Sequence, residues 1–178
     1  MIRIVYAGLL GVAQNLLGII QHVDFKSLGA ELHIYGGGNQ KTAIMKYVAE
    51  HEDSSVFFHG FVEADQVNGI LRQYDAALIP LVTYIKGAVP SKIFDTMPLG
   101  LPIFFCGEGE GARIVRKYGL GFVSKCNDAQ GLASNIEQFS RMDVQERERM
   151  SQRSLQASQK LFNYEAQMDK CYDFLKTI

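Results

Sequence analysis

Residues 74–105, YDAALIPLVTYIKGAVPSKIFDTMPLGLPIFF, constrain the fold of this chain more than any other stretch. After Asp75, the run Ala76-Ala77-Leu78-Ile79-Pro80 leaves no room for a polar face, as a parallel strand covered on both sides requires. The loop 86–90 leads to Ser91, a residue type favoured at helix N-caps, and residues 93–99 carry helical spacing with Asp95 in the first turns. Gly100 and Pro102 then stop the helix, and Ile103-Phe104-Phe105 resumes the sheet. A loop that delivers backbone N–H groups to a helix N-terminus suits an anion. A carboxylate one turn inside the helix suits a pair of vicinal hydroxyls. Together they describe a nucleotide, with phosphates on the loop and ribose on the acid.

The same alternation runs through most of the chain. Strands are expected at 2–7, 31–35, 55–59, 75–80, 103–105 and 121–124, and helices at 16–23, 41–50, 64–74, 93–99 and 111–118. Such alternation predicts an α/β fold, a doubly wound, Rossmann-like parallel sheet with right-handed crossovers and helices on both faces. After Asn127 the pattern changes. Residues 129–139, 143–160 and 164–177 all read as helix with no strand between, which adds a helical C-terminal segment. No repeat or low-complexity linker divides the chain, so residues 1–178 read as one domain.

Composition narrows the function classes. With 47% apolar and 21% charged residues, the chain is globular rather than disordered. A net charge of −1 argues against nucleic acid as a partner, since phosphate backbones demand clustered Lys and Arg. Cys106, Cys126 and Cys171 are odd in number and widely spaced, which suits a reducing cytoplasm and gives neither a disulfide framework nor a zinc site. Apolar runs are too short for a transmembrane segment, and no signal-peptide pattern opens the chain.

Several motifs have competing readings. Gly36-Gly37-Gly38 fits the first two glycines of a dinucleotide fingerprint, but Lys41 stands where the third should be, and no Walker ending follows. Glycines at a strand-to-helix turn often serve geometry alone. His22, His33, His51 and His59 are scattered in sequence and read as satisfied side chains without a catalytic task. Ser91 lacks the G-x-S-x-G surroundings of a nucleophile and reads as a helix cap. Asp95 and Lys92 are either a helix-dipole acid and a solvated lysine or ligand groups. Gly107-Glu108-Gly109-Glu110-Gly111 reads as a mobile loop beyond a strand's C-terminus, either enclosing a ligand or merely exposed. The run Gln145-Glu146-Arg147-Glu148-Arg149 is a solvated helix face.

At this point the sequence resembles the donor-binding, C-terminal domain of the group 1 (family 4) retaining glycosyltransferases of GT-B fold. Val5-Tyr6-Ala7-Gly8 resembles that family's first strand and turn, and Leu32-His33-Ile34-Tyr35-Gly36-Gly37-Gly38 its second. Val56-Phe57-Phe58-His59-Gly60-Phe61-Val62 resembles the strand that meets the nucleobase. Pro90-Ser91-Lys92-Ile93-Phe94-Asp95 through Gly100-Leu101-Pro102 resembles the donor-binding helix. Gly119-Leu120-Gly121-Phe122-Val123 and Asn127-Asp128-Ala129-Gln130-Gly131-Leu132 follow in the same order. The resemblance implies a nucleotide-sugar site at Gly8, Gly36, Gly38, Phe61, Val62, Val89, Pro90, Ser91, Lys92 and Asp95. It implies no cofactor and no metal, the nucleoside diphosphate sugar being a substrate. It also implies a partner, an N-terminal acceptor domain in cis or as a subunit, and work in the cytoplasm, peripheral to the inner face of the membrane, during bacterial polysaccharide assembly.

The departures from that pattern are specific. Where the family carries two glutamates with seven residues between them, this chain has Gly87 and Asp95. Where it places an arginine and a lysine after the first strand, this chain has Leu9 and Asn15, leaving Lys92 to supply positive charge. A degenerate, non-catalytic nucleotide-binding or interaction domain is therefore the alternative to a transferase. A nucleotide-sugar epimerase of similar fold would show a histidine and paired acids in the cleft. Finally, Phe162, Tyr164, Met168, Cys171, Tyr172, Phe174 and Leu175 crowd the last helix on more than one face, which predicts either a partner surface or a fully buried terminal helix.

Overall fold

The computed structural model describes residues 1–177. Six parallel strands form one sheet: β1 (Ile2–Ala7), β2 (Ala30–Tyr35), β3 (Val56–Gly60), β4 (Ala76–Pro80), β5 (Ile103–Cys106) and β6 (Gly121–Ser124), in the order β3-β2-β1-β4-β5-β6. Helices α1 (Leu16–His22), α2 (Lys41–Glu50), α3 (Ala64–Leu71), α4 (Lys92–Thr96) and α5 (Gly109–Tyr118) connect them. Then α6 (Ala129–Arg141), α7 (Val144–Lys160) and α8 (Tyr164–Lys176) follow without a strand. The doubly wound class expected from alternation is the observed one.

Burial explains why the strands read as they do. Every residue of β4 and β5 is buried, as their unbroken apolar runs demand. On one face, Ile4, Tyr6, Leu32, Ile34 and Phe104 pack with α1, Ile44 of α2 and Leu132, Ile136 and Phe139 of α6. On the other, Ile79, Ile103 and Phe105 pack with Ile93 of α4 and Ala112 and Val115 of α5. Val5 and Ala77 meet Leu71 of α3 and Tyr74 on that second face.

Three local expectations change. The helix read over 93–99 divides: α4 ends at Thr96, and a single 3-10 turn, Met97–Leu99, carries Pro98 to the left-handed Gly100. Proline lacks the N–H that a longer α-helix would use, which accounts for the tightening. Ser91 holds the cap position, but its side chain makes no capping bond, because its backbone is already helical. Its carbonyl instead accepts from Phe94 and Asp95. The glycine-rich stretch read as a mobile loop is mostly the first turn of α5, with Gly111 buried against Phe105 and the N–H of Gly107 donating to Ser124 at 2.9 Å.

The C-terminal helices differ from one another. Helix α7 is anchored by Met150, Ser154 and Ala157, and Arg153 Nε donates to the Gly119 carbonyl at 3.0 Å. Phe162 closes the junction, its ring 5.4 Å from both Phe94 and Tyr118. Beyond it, Tyr164, Met168, Tyr172, Phe174 and Leu175 of α8 are all exposed. Of the two readings of that helix, full burial on its own domain is excluded.

Candidate functional site

Strand order reverses between β1 and β4. The chain leaves β1 toward β2 and leaves β4 toward β5, so a crevice opens at their carboxyl ends, the usual ligand position in open α/β sheets. There a cleft of about 430 Å³ is lined by Ala7, Gly8, Leu9, Tyr35, Gly36, Gly37, Gly38, Phe61, Val62 and Val67. Its walls are apolar side chains and glycine backbone, a lining suited to a planar base. A smaller recess of about 50 Å³ shares Ala7 and Val67 with it and is lined further on by Lys92, Asp95 and Thr96. The two adjoin at Ala7 and Val67, with Lys92 and Asp95 lining only the smaller one.

The glycines make the cleft possible by letting two loops cross. The N–H of Gly8 donates to Tyr35, that of Gly36 to Gly60 and that of Leu10 to Gly37, so the ladder continues past the strand ends. Gly36 has φ +143°, and a Cβ there would overlap the Gly8 carbonyl. Gly38 has φ +150°, and a Cβ there would lie 2.5 Å from the Leu10 carbonyl. Only glycine tolerates both the dihedral and the contact. The loop is held from below by Tyr6, whose hydroxyl donates to the Leu9 carbonyl at 2.5 Å. Burial pushes the Tyr6 phenol well above its ordinary value, so it stays a donor at any physiological pH.

Lys92 reaches across the switch point. Its Cε and Nζ sit 2.5 and 2.6 Å from where a Cβ on Gly8 would be, and Nζ stands 6.0 Å from the Tyr6 ring centroid. A partly buried ammonium is thus held against the β1 turn, beside the recess. Asp95, one turn on, is exposed and shares that recess.

Of the expected site residues, Gly8, Gly36, Gly38, Phe61 and Val62 line the cleft, and Lys92 and Asp95 the recess. Val89 is among the lining residues of neither and packs, partly buried, against the core cluster that includes Ile79 and Ile93. Pro90 and Ser91 contribute backbone: the Pro90 carbonyl accepts from Ile93. The departures are visible too. Gly87 lies in an exposed loop at φ +80° with open space around it. Leu9 is 62% exposed at the cleft's rim. The side chain of Asn15 accepts from the Gly18 N–H and donates to Asn127 Oδ1 at 3.2 Å, so it is a structural clasp.

Sequence reading missed Tyr35 and Val67 as lining residues. It also missed that the histidines of β2 and β3 meet. His33 and His59 fall on one face of paired strands, a two-residue periodicity that neighbouring strands share. His33 Nδ1 and His59 Nε2 are 2.9 Å apart, and His33 Nε2 lies 3.1 Å from Glu31 Oε2. Both rings are satisfied, as expected, but by each other. They lie on the sheet face behind Tyr35, with no paired acids in the cleft.

Comparison with known proteins agrees with this fold. Residues 3–141 match the family described as Glycosyl transferases group 1. WcaL of Salmonella typhimurium, named for a glycosyltransferase role in colanic acid biosynthesis, is 27% identical over 122 residues, which are 67% of this chain and 30% of that protein. The chain thus spans about a third of that curated relative's length. Among solved structures, Anabaena HepE in complex with UDP and glucose matches with a TM-score of 0.77 at 14% identity, over 99% of this chain and 48% of that one. The catalytic domain of the Helicobacter pylori cholesterol-alpha-glucosyltransferase matches with a TM-score of 0.69 at 18% identity, over 88% and 96%. By the family match over most of its length, with a fold that agrees, the chain belongs to the group 1 glycosyl transferases.

Proposed function

We propose that this chain binds the nucleoside diphosphate sugar of a retaining glycosyl transfer, in bacterial surface-polysaccharide synthesis. The supporting observation is that the apolar cleft adjoins, at Ala7 and Val67, the recess lined by Lys92 and Asp95. The base lies between Phe61, Val62 and the glycine turns. The Asp95 carboxylate accepts from the ribose hydroxyls. The Lys92 ammonium faces the diphosphate and stabilises it as the sugar's anomeric C–O bond to phosphate breaks. The new bond forms from the anomeric carbon to an acceptor hydroxyl oxygen, and that hydroxyl loses its proton. The acceptor belongs to a second, N-terminal domain in cis or on a separate subunit, working at the cytoplasmic face of the membrane. The sugar donor is substrate, and the scheme uses no cofactor.

Calorimetry with UDP, GDP and ADP tests the donor-site reading. One of them is expected to bind in the high micromolar to millimolar range, because charge-assisted bonds of about 1.5–3 kcal/mol each are absent at Leu9 and Asn15. No binding by any of the three at millimolar concentration would overturn it. A second reading, a nucleotide-holding domain without catalysis, is favoured by Gly87 and by the structural employment of Asn15. Turnover by the full two-domain protein distinguishes the two.

A further inference from the structure

We propose that Asn127 is a positioning residue for the donor site, clamping the turn after β1 to the end of β4 so that Gly8 and Leu9 keep their place in the cleft. This rests on the nucleotide-site reading above. Asn127 lies in the turn after β6 and is among the lining residues of neither the cleft nor the recess. Its amide bonds on two sides. Nδ2 donates to the Val82 carbonyl, just past β4, at 2.9 Å, and Oδ1 accepts from Nδ2 of Asn15, at the start of α1, at 3.2 Å. The Val82 N–H in turn donates to the Ala13 carbonyl at 2.9 Å. Both polar groups of the Val82 backbone are thus held from other turns. On the opposite flank, the Leu10 N–H donates to the Gly37 carbonyl, and the Leu10 carbonyl accepts from Gln40. The turn over residues 8–15 is therefore fixed toward β2 by backbone alone, and toward β4 through Val82 and the Asn127 side chain.

Two further observations single out this side chain. Asn127 and Asn15 both have left-handed backbones, at φ +55° and +45°. Asparagine tolerates that region, but glycine enters it more easily. Glycine would serve the dihedral at 127 and lose both bonds, so the amide is what the position needs. The second observation is a void. A cavity of about 220 Å³ lies among these turns, lined in part by Gln14, Asn15, Leu81, Cys106, Asn127 and Asp128. Side-chain packing does not fill the space between the start of α1 and the ends of β4 and β5, so hydrogen bonds set the spacing of the turns there. Asn127 itself is exposed, and its bonds act on local order more than on global stability. Lys92 meets the same turn at Gly8. A diphosphate held between Lys92 and that turn needs the two kept at a fixed separation, which a supporting shell provides.

The test uses two variants and a control. Asn127→Gly keeps the left-handed turn and removes the amide. Asn127→Asp keeps an acceptor for Asn15 but loses the donor to Val82. The control, Asp128→Ala, removes the neighbouring cap of α6, where the Asp128 carboxylate accepts from the Gly131 N–H at 2.8 Å. Affinity for the best binder among UDP, GDP and ADP is measured by NMR titration, and melting temperature is recorded for each protein. Both Asn127 variants are expected to bind about three- to ten-fold more weakly than the native chain, with nearly unchanged melting. Asp128→Ala should show the reverse, a lower melting temperature with native affinity. Without nucleotide, the Gly8 and Leu9 amide signals must shift in Asn127→Gly. Native affinity in either Asn127 variant, unmoved Gly8 and Leu9 signals, or an equal loss of affinity in Asp128→Ala would each overturn the proposal. If no nucleotide binds the native chain, the donor-site reading itself fails and the proposal falls with it. That outcome is distinct from native binding that the variants leave unchanged, which overturns the proposal alone.

Discussion

At the residue scale, side chains with the same sequence rank carry different weights. Lys92 is the one expected site residue whose charge the fold directs at the β1 turn. Lys92→Ala should weaken nucleotide binding roughly 10- to 100-fold, the size of one charged hydrogen bond, with little change in melting temperature. A variant that binds normally would remove Lys92 from the site. Gly36→Ala is expected to destabilise by about 2–4 kcal/mol, because a positive φ and a backbone collision coincide, and chemical denaturation measures this. His59 is held below its ordinary 6.5 first by burial of its ring, then by His33 and Arg3. The unfolded chain then binds the extra proton more readily. This contribution to stability is present above pH 6.5 and is lost as pH falls through the folded value. Melting curves at pH 7.5 and 5.5 should therefore show a smaller drop for His59→Phe than for the native chain. The glycine turns were legible in the sequence, because a strand-to-helix turn depends on neighbours along the chain. Tyr35 and the His33–His59 pair were not, since strand register brings them together across 26 residues.

At the element scale, buried strands and periodic helices could be read almost to their ends: α2 begins and ends where its spacing predicts. The failures share a cause. Gly109-Glu110-Gly111 begins a helix that lacks any early apolar period, so local residue preference pointed to a loop and tertiary contact with Phe105 overrode it. Pro98 divides the donor-side helix through its missing N–H rather than through any change in hydrophobic pattern. Helix α8 is the opposite case, rich in large apolar side chains that its own domain does not bury. Deleting residues 163–178 should leave the melting temperature nearly unchanged and raise solubility. A large fall in melting temperature would show that α8 supports the core after all.

At the scale of the whole molecule, handed crossovers turn a simple alternation of elements into a sheet whose order reverses beside β1, and the reversal creates the crevice. Sequence alone could raise the expectation of a ligand there. It could not show that Ala7 and Val67 line both the apolar cleft and the recess of Lys92 and Asp95. The chain spans 30% of WcaL, and we expect transfer activity only when an acceptor domain is supplied alongside it. The most direct measurement is an NMR titration of backbone amides with UDP, GDP and ADP. The account predicts that shifts concentrate at Gly8, at 36–38, at Phe61 and Val62, and at 92–95. Shifts confined to other surfaces, or none at millimolar nucleotide, would contradict it.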